Sequence, residues 1–263
     1  MADGTSKRPH ETVADRTPAM RRPNAARMSG SSVHAWLASE IGLRIVRGDY
    51  PPGTILPNEA KWSETFEVSR SAVREAIKML MAKSLLASRP KVGSWVEPKD
   101  RWNLLDRDVL GWYAASPDRE AFLRTVQEFR HIIEPEAAAF AAERHSEAQM
   151  SEISQSCREM GQAISLQERT LADTRFHLAI LRASGNDLLV PLGVLIESAL
   201  DHLFTFVTQE VQDQRAQSLH EAIETNIRLR RPQAARNAVH RLLANTDDVI
   251  ARSRRQTPAP TGG

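Results

Sequence analysis

At 263 residues, 41% apolar and 26% charged, the chain has enough core for one large domain or two modest ones, which excludes a wholly disordered, disulfide-scaffold or collagen-like protein. The single cysteine, Cys157, has no internal disulfide partner, as suits a reducing cytoplasm, and no signal peptide or bilayer span is expected, because the most apolar stretch, 188–207, carries Pro191, Glu197, Asp201 and His202. The net charge of +2 is unevenly spread: six Lys/Arg against three Asp/Glu in 1–30, nine against seven in 31–98, and twenty against twenty-three in 99–263.

Residues 1–30 lack any apolar period and read as a disordered basic tail; 256–263 read as a second loose end. Between them the chain divides near Glu97-Pro98-Lys99-Asp100, giving one unit over 31–98 and another over 99–255. The first unit opens with a helix predicted over 32–47, with Val33, Trp36, Leu37, Ile41, Ile45 and Val46 on its apolar face and Gly48 placed to end it. A proline-stiffened crossing, Tyr50 to Pro57, leads to a second helix capped by Asn58 and running to Phe66. After the tight link Glu67-Val68, Ser69 caps a third helix that turns Val73, Ile77 and Leu80 inward. A short hairpin follows, Leu85–Ser88 and Ser94–Val96, with Lys91, Val92 and Gly93 at its turn.

On the third helix Arg70, Arg74 and Lys78 recur at i, i+4 and i+8, and 70–91 holds six cationic residues against Glu75 alone. By itself such a stripe reads as a solvated helix face. After three helices and before a glycine-turned hairpin, it outlines a winged helix-turn-helix. A helix of ~10–12 Å diameter fits the ~12 Å major groove of B-DNA, and its N-terminal residues reach base edges.

The second unit reads as a run of helices: a short one from Asp106 to Trp112, then Phe122 to Ala142 with Pro135 kinking or restarting it, then about 147–165, 168–184, 187–209, 214–230 and 232–254. The predicted fold class is therefore mainly α, an N-terminal winged helix-turn-helix plus a C-terminal antiparallel all-helical bundle. Inside the bundle Asp173 and His177 share a helix face, while His220 and His240 each sit beside apolar residues on later helices. Imidazoles and a carboxylate converging in a bundle core suit Zn, Ni, Mn or Fe; by periodicity alone they read first as hydrogen-bonded core histidines. His10, His34, His131, His145 and His202 are left out of the set, and Cys157, without a Cys or His at ligand spacing, reads as an inert thiol.

Residues 34–97 resemble the DNA-binding domain of the GntR family of bacterial transcription regulators. The match is carried by Ile45-Val-Arg-Gly-Asp-Tyr-Pro-Pro-Gly-Thr-Ile-Leu-Pro57, Val68-Ser-Arg-Ser-Ala-Val-Arg-Glu-Ala76 and Gly93-Ser-Trp-Val96. The resemblance implies that Arg70, Ser71 and Arg74 meet an operator, with Ser69 on phosphate, Gly93 at the wing tip and Lys91 beside it. One departure is Ala60, where family members often carry an arginine. Residues 104–254 resemble the all-helical FCD effector domain of the FadR-type subfamily, through Asp173-Thr-Arg-Phe-His177, Glu128-Phe-Arg-His-Ile-Ile-Glu-Pro135, His220-Glu-Ala-Ile223 and His240-Arg-Leu242. That resemblance implies a divalent metal, zinc first, on Asp173, His177, His220 and His240; Leu219 stands where an acidic residue often precedes the histidine.

The leading function is thus a cytoplasmic, homodimeric regulator, a repressor by expectation, acting on double-stranded operator DNA with an inverted repeat. The alternative is a metal-dependent enzyme of the helical bundle acting on a small acid; the sequence singles out no convincing general base for it, Glu221 and Glu224 being candidates only. A metal with open positions favours a carboxylate with an adjacent hydroxyl, and Arg130 and Arg175 are the arginines expected to clamp it. The run 101–112 is similar to regulators of sugar-acid catabolism and implies a small organic or sugar acid as effector, D-galactonate foremost.

Overall fold

The computed structural model describes residues 30–206 and 214–256. Most of the predicted basic tail and most of the C-terminal loose end lie outside the described residues. Two compact units meet in the sequence at Trp102 and Asn103.

In the first unit α1 (Gly30–Arg47), α2 (Glu59–Phe66) and α3 (Arg70–Ala82) precede a hairpin of β1 (Leu86–Arg89) and β2 (Gly93–Val96). The strands pair antiparallel, Leu86 opposite Val96 and Arg89 opposite Gly93, and a bridge from Ile55 to Trp95 ties the proline-rich crossing to the wing. Leu37, Ile41 and Ile45 of α1 are buried, as are Val73, Ile77 and Leu80 of α3. This is the apolar period expected of two helices sharing one core. The predicted caps form: Asn58 accepts from Lys61 N at 2.9 Å and Ser69 from Ala72 N at 3.2 Å. Gly48, at φ 87, supplies the left-handed residue that ends α1.

The second unit is helical throughout its described part: α4 (Arg107–Ala114), α5 (Arg119–Arg144), α6 (Glu147–Gln162), α7 (Leu166–Ala183), α8 (Gly193–Phe206), α9 (Gln214–Arg228) and α10 (Pro232–Gln256). α5 packs on α10 and α7, α6 on α7 and α9, and α9 on α10. Small residues permit the close approach: Ala137, Ala138, Ala141 and Ala142 of α5 join the same buried cluster as Ala235, Ala238 and Leu242 of α10.

Two expectations change. Pro135 does not divide α5, which runs unbroken from Arg119 to Arg144 with Pro135 buried inside it. Proline removes one hydrogen-bond donor, and the buried alanines that follow hold the helix in place. The helix expected from 187 instead begins at Gly193, after a 3-10 turn over Val190–Leu192. A Cβ at Gly193 would run into Cδ2 of Leu178 on α7, the far end of a flexible side chain, so a larger residue at this start would require Leu178 to shift.

Candidate functional site

The cationic stripe stands on the outer face of α3. Arg70, Ser71, Arg74 and Lys78 are all exposed, while Val73, Ala76 and Ile77 between them fill the core. Ser69 Oγ is engaged as the cap of α3 and lies 3.0 Å from Ser71 Oγ. Arg74 forms a bidentate fork with Glu59 of α2, Nε to Oε1 at 3.0 Å and Nη2 to Oε2 at 2.8 Å. Hydrogen bonding to Arg74 is the main reason the Glu59 carboxyl is held below its ordinary pKa. Glu59 was not singled out in the sequence, where its neighbours Asn58 and Ala60 stand as a helix cap and a departure from the family pattern. At the wing, Lys91 and Gly93 are exposed with positive φ, 66° and 97°, and the guanidinium of Arg89 lies 5.7 Å above the Trp95 ring. The wing thus presents Lys91 and Arg89 on a tightly turned backbone.

The second cluster is buried. Asp173 and His177 lie one turn apart on α7 and His220 comes from α9, with exposures of 6%, 4% and 4%. Oδ1 of Asp173 stands 3.0 Å from Nε2 of His220 and 3.3 Å from Nε2 of His177. All three ligand atoms lie within 4.8 Å of one another, a spacing that fits a shared metal ion. Phe176 packs edge-on against both rings, at centroid distances of 5.6 and 5.3 Å.

The ring nitrogens are already sorted. His220 Nδ1 lies 2.7 Å from the Ala216 carbonyl, and His177 Nδ1 lies 2.7 Å from Oε2 of Glu134, so each ring turns Nε2 toward Asp173. Oδ1 of Asp173 and Nε2 of His220 have no hydrogen-bond partner despite their burial. Orphaned donor atoms converging in a dry core are what a metal would satisfy. Behind His177, Arg130 Nε donates to Glu134 Oε1 at 2.5 Å, and both side chains are almost fully buried.

The electrostatics follow from this packing. Burial alone would raise the Glu134 carboxyl, but the charges of Arg130 and His177 outweigh it and hold it at about 2. Burial acts the same way on Asp173, and His220 and His177 pull it well below the usual carboxylate range. His177 is the converse case: burial disfavours its charge, yet Glu134 and Asp173 lift it to about 9.

Of the expected ligands, the structure brings together Asp173, His177 and His220 and leaves His240 out. On α10 the buried face carries Val239, Leu242 and Leu243; His240, about 100° further round, is exposed, and its charge reaches Glu136 on the outer side. Of the two expected clamps, Arg130 is 1% exposed and inside. Arg175 is exposed and donates to Glu159 of α6 at 2.6 Å. Glu134, absent from the expected site residues, is its main addition; in the sequence it stands inside the family-like run 128–135, four residues after Arg130. The side chain of His202 lies outside the described residues. Cys157 is buried, and burial above all, then Glu224 and Glu221, pushes its thiol up to about 12, leaving it protonated and inert.

A winged helix-turn-helix followed in the same chain by a helical unit with a buried histidine–carboxylate cluster defines a DNA-binding regulator with its own sensing domain. Residues 37–96 match the bacterial regulatory proteins of the gntR family and 125–245 match the FCD domain. The chain belongs to the GntR family of transcription regulators and carries an FCD effector-binding domain. It is similar to the galactonate operon transcriptional repressor of Escherichia coli, 33% identical over 211 residues, 78% of this chain and 91% of that protein. It is also similar to the regulator LutR of Bacillus subtilis, 29% identical over 216 residues, 79% of this chain and 96% of that protein. Among solved structures, Lar, which controls expression of the Listeria monocytogenes agr system, shares the fold at a TM-score of 0.56 and 19% identity, covering 88% of this chain and 99% of that one. These families and relatives are transcription regulators, not enzymes, which sets aside the metalloenzyme alternative. Among the described residues no helix is long and apolar enough to cross a membrane.

Proposed function

We propose that this regulator is a cytoplasmic repressor that binds an inverted-repeat operator as a homodimer. In this reading it responds to a small carboxylate or sugar acid, D-galactonate first among them, bound beside a divalent metal in the FCD domain. One recognition helix and one wing cover only a half-site, so two copies of the chain read the whole repeat. Arg70, Ser71 and Arg74 approach base edges and Ser69, Lys91 and Gly93 the backbone; this assignment is supported by their shared exposure on α3 and the wing.

The observation that carries the sensing half is the convergence of Asp173 Oδ1, His177 Nε2 and His220 Nε2 with both Nδ1 atoms already turned to other partners. Two imidazoles and one carboxylate suit zinc first, with nickel, manganese and iron as alternatives, and three protein ligands leave positions open. When bound, the metal supplies a positive centre that prefers hard oxygen donors, such as a carboxylate with a neighbouring hydroxyl. Arg130, one carboxylate away from His177, stays in this reading as an inward cation; Arg175, turned to Glu159 on the outer surface, does not. The name of the galactonate operon repressor supports galactonate as the first acid to try.

The test is fluorescence anisotropy of labelled operator, titrated with D-galactonate and a panel of aldonates, uronates and dicarboxylates, in metal-loaded and chelator-treated protein. An acid that favours one arrangement of the protein should shift operator affinity about 5–150-fold, a coupling of ~1–3 kcal/mol, and only with metal present. If no acid in the panel shifts affinity, the effector class is wrong. If chelated protein responds as strongly as loaded protein, the metal has no part in sensing.

A further inference from the structure

We infer that Glu134 is the positioning residue of the metal centre. It holds the His177 ring with Nδ1–H inward and Nε2 toward the ion, and Arg130 holds Glu134. The inference rests on the metal reading above. Glu134 belongs to α5, which contributes no ligand, and is 3% exposed. Its Oε1 accepts from Arg130, whose guanidinium also donates to Gln127 Oε1 at 3.4 Å. Its Oε2, which has no other hydrogen-bond partner, stands 2.7 Å from His177 Nδ1.

A buried carboxylate oxygen without a donor is costly. The donor facing this one is the His177 ring: its Nδ1 is already turned to Oε2 and its Nε2 to Asp173, so the ring proton that Glu134 favours is the one on Nδ1, and Nε2 is the nitrogen left to meet an ion. His220 meets the same requirement with less, because its Nδ1 faces a neutral carbonyl one turn back on its own helix. A carboxylate partner fixes the tautomer and makes the ring a more basic ligand than a carbonyl does, and outer partners of this kind govern metal affinity by 10–100-fold. The two histidines are therefore unequal, and His177 is the one whose ligating strength is set from outside its own helix.

The test is Zn²⁺ affinity of the full chain by competition with a chromophoric chelator, with ¹H–¹⁵N spectra of the histidine rings in the zinc-loaded protein. Glu134→Gln keeps the size and an acceptor but not the charge. It should weaken zinc about 10-fold or more and move the His177 Nδ1–H proton upfield, with circular dichroism unchanged. Arg130→Lys, which keeps the cation but loosens its grip, should show a smaller loss in the same direction. Glu136→Gln, an exposed carboxylate on the same helix, should change neither readout. A wild-type protein that takes up no zinc overturns the proposed metal and this inference together. A wild type that loads normally, with zinc affinity unchanged in Glu134→Gln and Arg130→Lys, overturns this inference alone.

Discussion

Each unit contains an Arg–Glu pair close enough to hydrogen-bond, and the two differ in almost everything but chemistry. Arg74 and Glu59 form an ideal fork on the surface of the DNA-binding unit, with side chains 60% and 35% exposed. Arg130 and Glu134 form a single contact in the helical unit, with side chains 2% and 4% exposed. In water such a pair is a weak clamp, screened by salt and opposed by side-chain entropy. Arg74 can therefore exchange Glu59 for a phosphate or a base edge. In the core neither partner can leave without stranding the other's charge. One pair suits a face that trades partners, and the other suits a site whose geometry must not drift.

The largest expected effect comes from breaking the buried pair on one side. Arg130→Met should destabilise the helical unit by about 3–5 kcal/mol, whereas Arg130→Met/Glu134→Leu should recover only part of that loss, because the two apolar side chains leave no stranded carboxylate but strip the buried His177 Nδ1 of its partner. Urea unfolding followed by circular dichroism measures both. A single variant as stable as wild type would mean that the pair is hydrated in solution. Close behind comes the metal itself. At a metal concentration a thousand times its Kd, binding adds about 4 kcal/mol to the folded state, and His177→Ala/His220→Ala should lose that gain together with the bound ion. His240→Ala should keep a full complement of metal by elemental analysis. If it sheds metal as the double variant does, the three-residue set is wrong.

The contrast also marks what could be read in the sequence. The face of α3, its Ser69 cap and the glycine at the end of α1 are local matters of period and backbone conformation, and they were legible. So was the pairing of Asp173 with His177, which needs only a four-residue spacing. His240 was misplaced because neighbouring Val239, Leu242 and Leu243 mark a buried helix without saying which flank one residue occupies. Arg130 and Arg175 looked alike for the same reason, and only packing turned one inward and the other toward Glu159. Glu134 was invisible as a site residue because its second partner lies on another helix, and contacts between helices leave no trace in periodicity. Pro135 does not restart the helix, since α5 continues through it, and the sequence alone does not choose between a bend and a restart at a proline.

On the DNA-facing side the effects should be smaller and should appear in binding rather than in stability. Arg70→Ala should cost about 1–3 kcal/mol for the operator if the arginine reads a guanine edge, with little change for scrambled DNA. Lys91→Ala should weaken all sequences alike and lower the salt slope by about one, because a backbone contact carries charge but no sequence information. Equal losses on operator and scrambled DNA for Arg70→Ala would demote it to a phosphate contact.

The smallest expected change in stability is at Glu59, and it tests the contrast most directly. Glu59 sits in the first turn of α2, where a negative charge is mildly favourable to the helix, and its pair with Arg74 is open to solvent. Glu59→Gln should therefore leave urea unfolding almost where it was, unlike any change at Glu134. Its effect on DNA should have two opposite parts. Removing a carboxylate beside the cationic stripe lessens repulsion of phosphate, so scrambled DNA should bind more tightly at low salt. Releasing the fork leaves Arg74 free to sample more rotamers, so the preference for operator over scrambled DNA should fall. Anisotropy on both duplexes at two salt concentrations separates the parts. If both duplexes gain equally and the preference holds, Glu59 contributes only its charge. If Glu59→Gln unfolds as readily as Arg130→Met, exposure is not what distinguishes the two pairs.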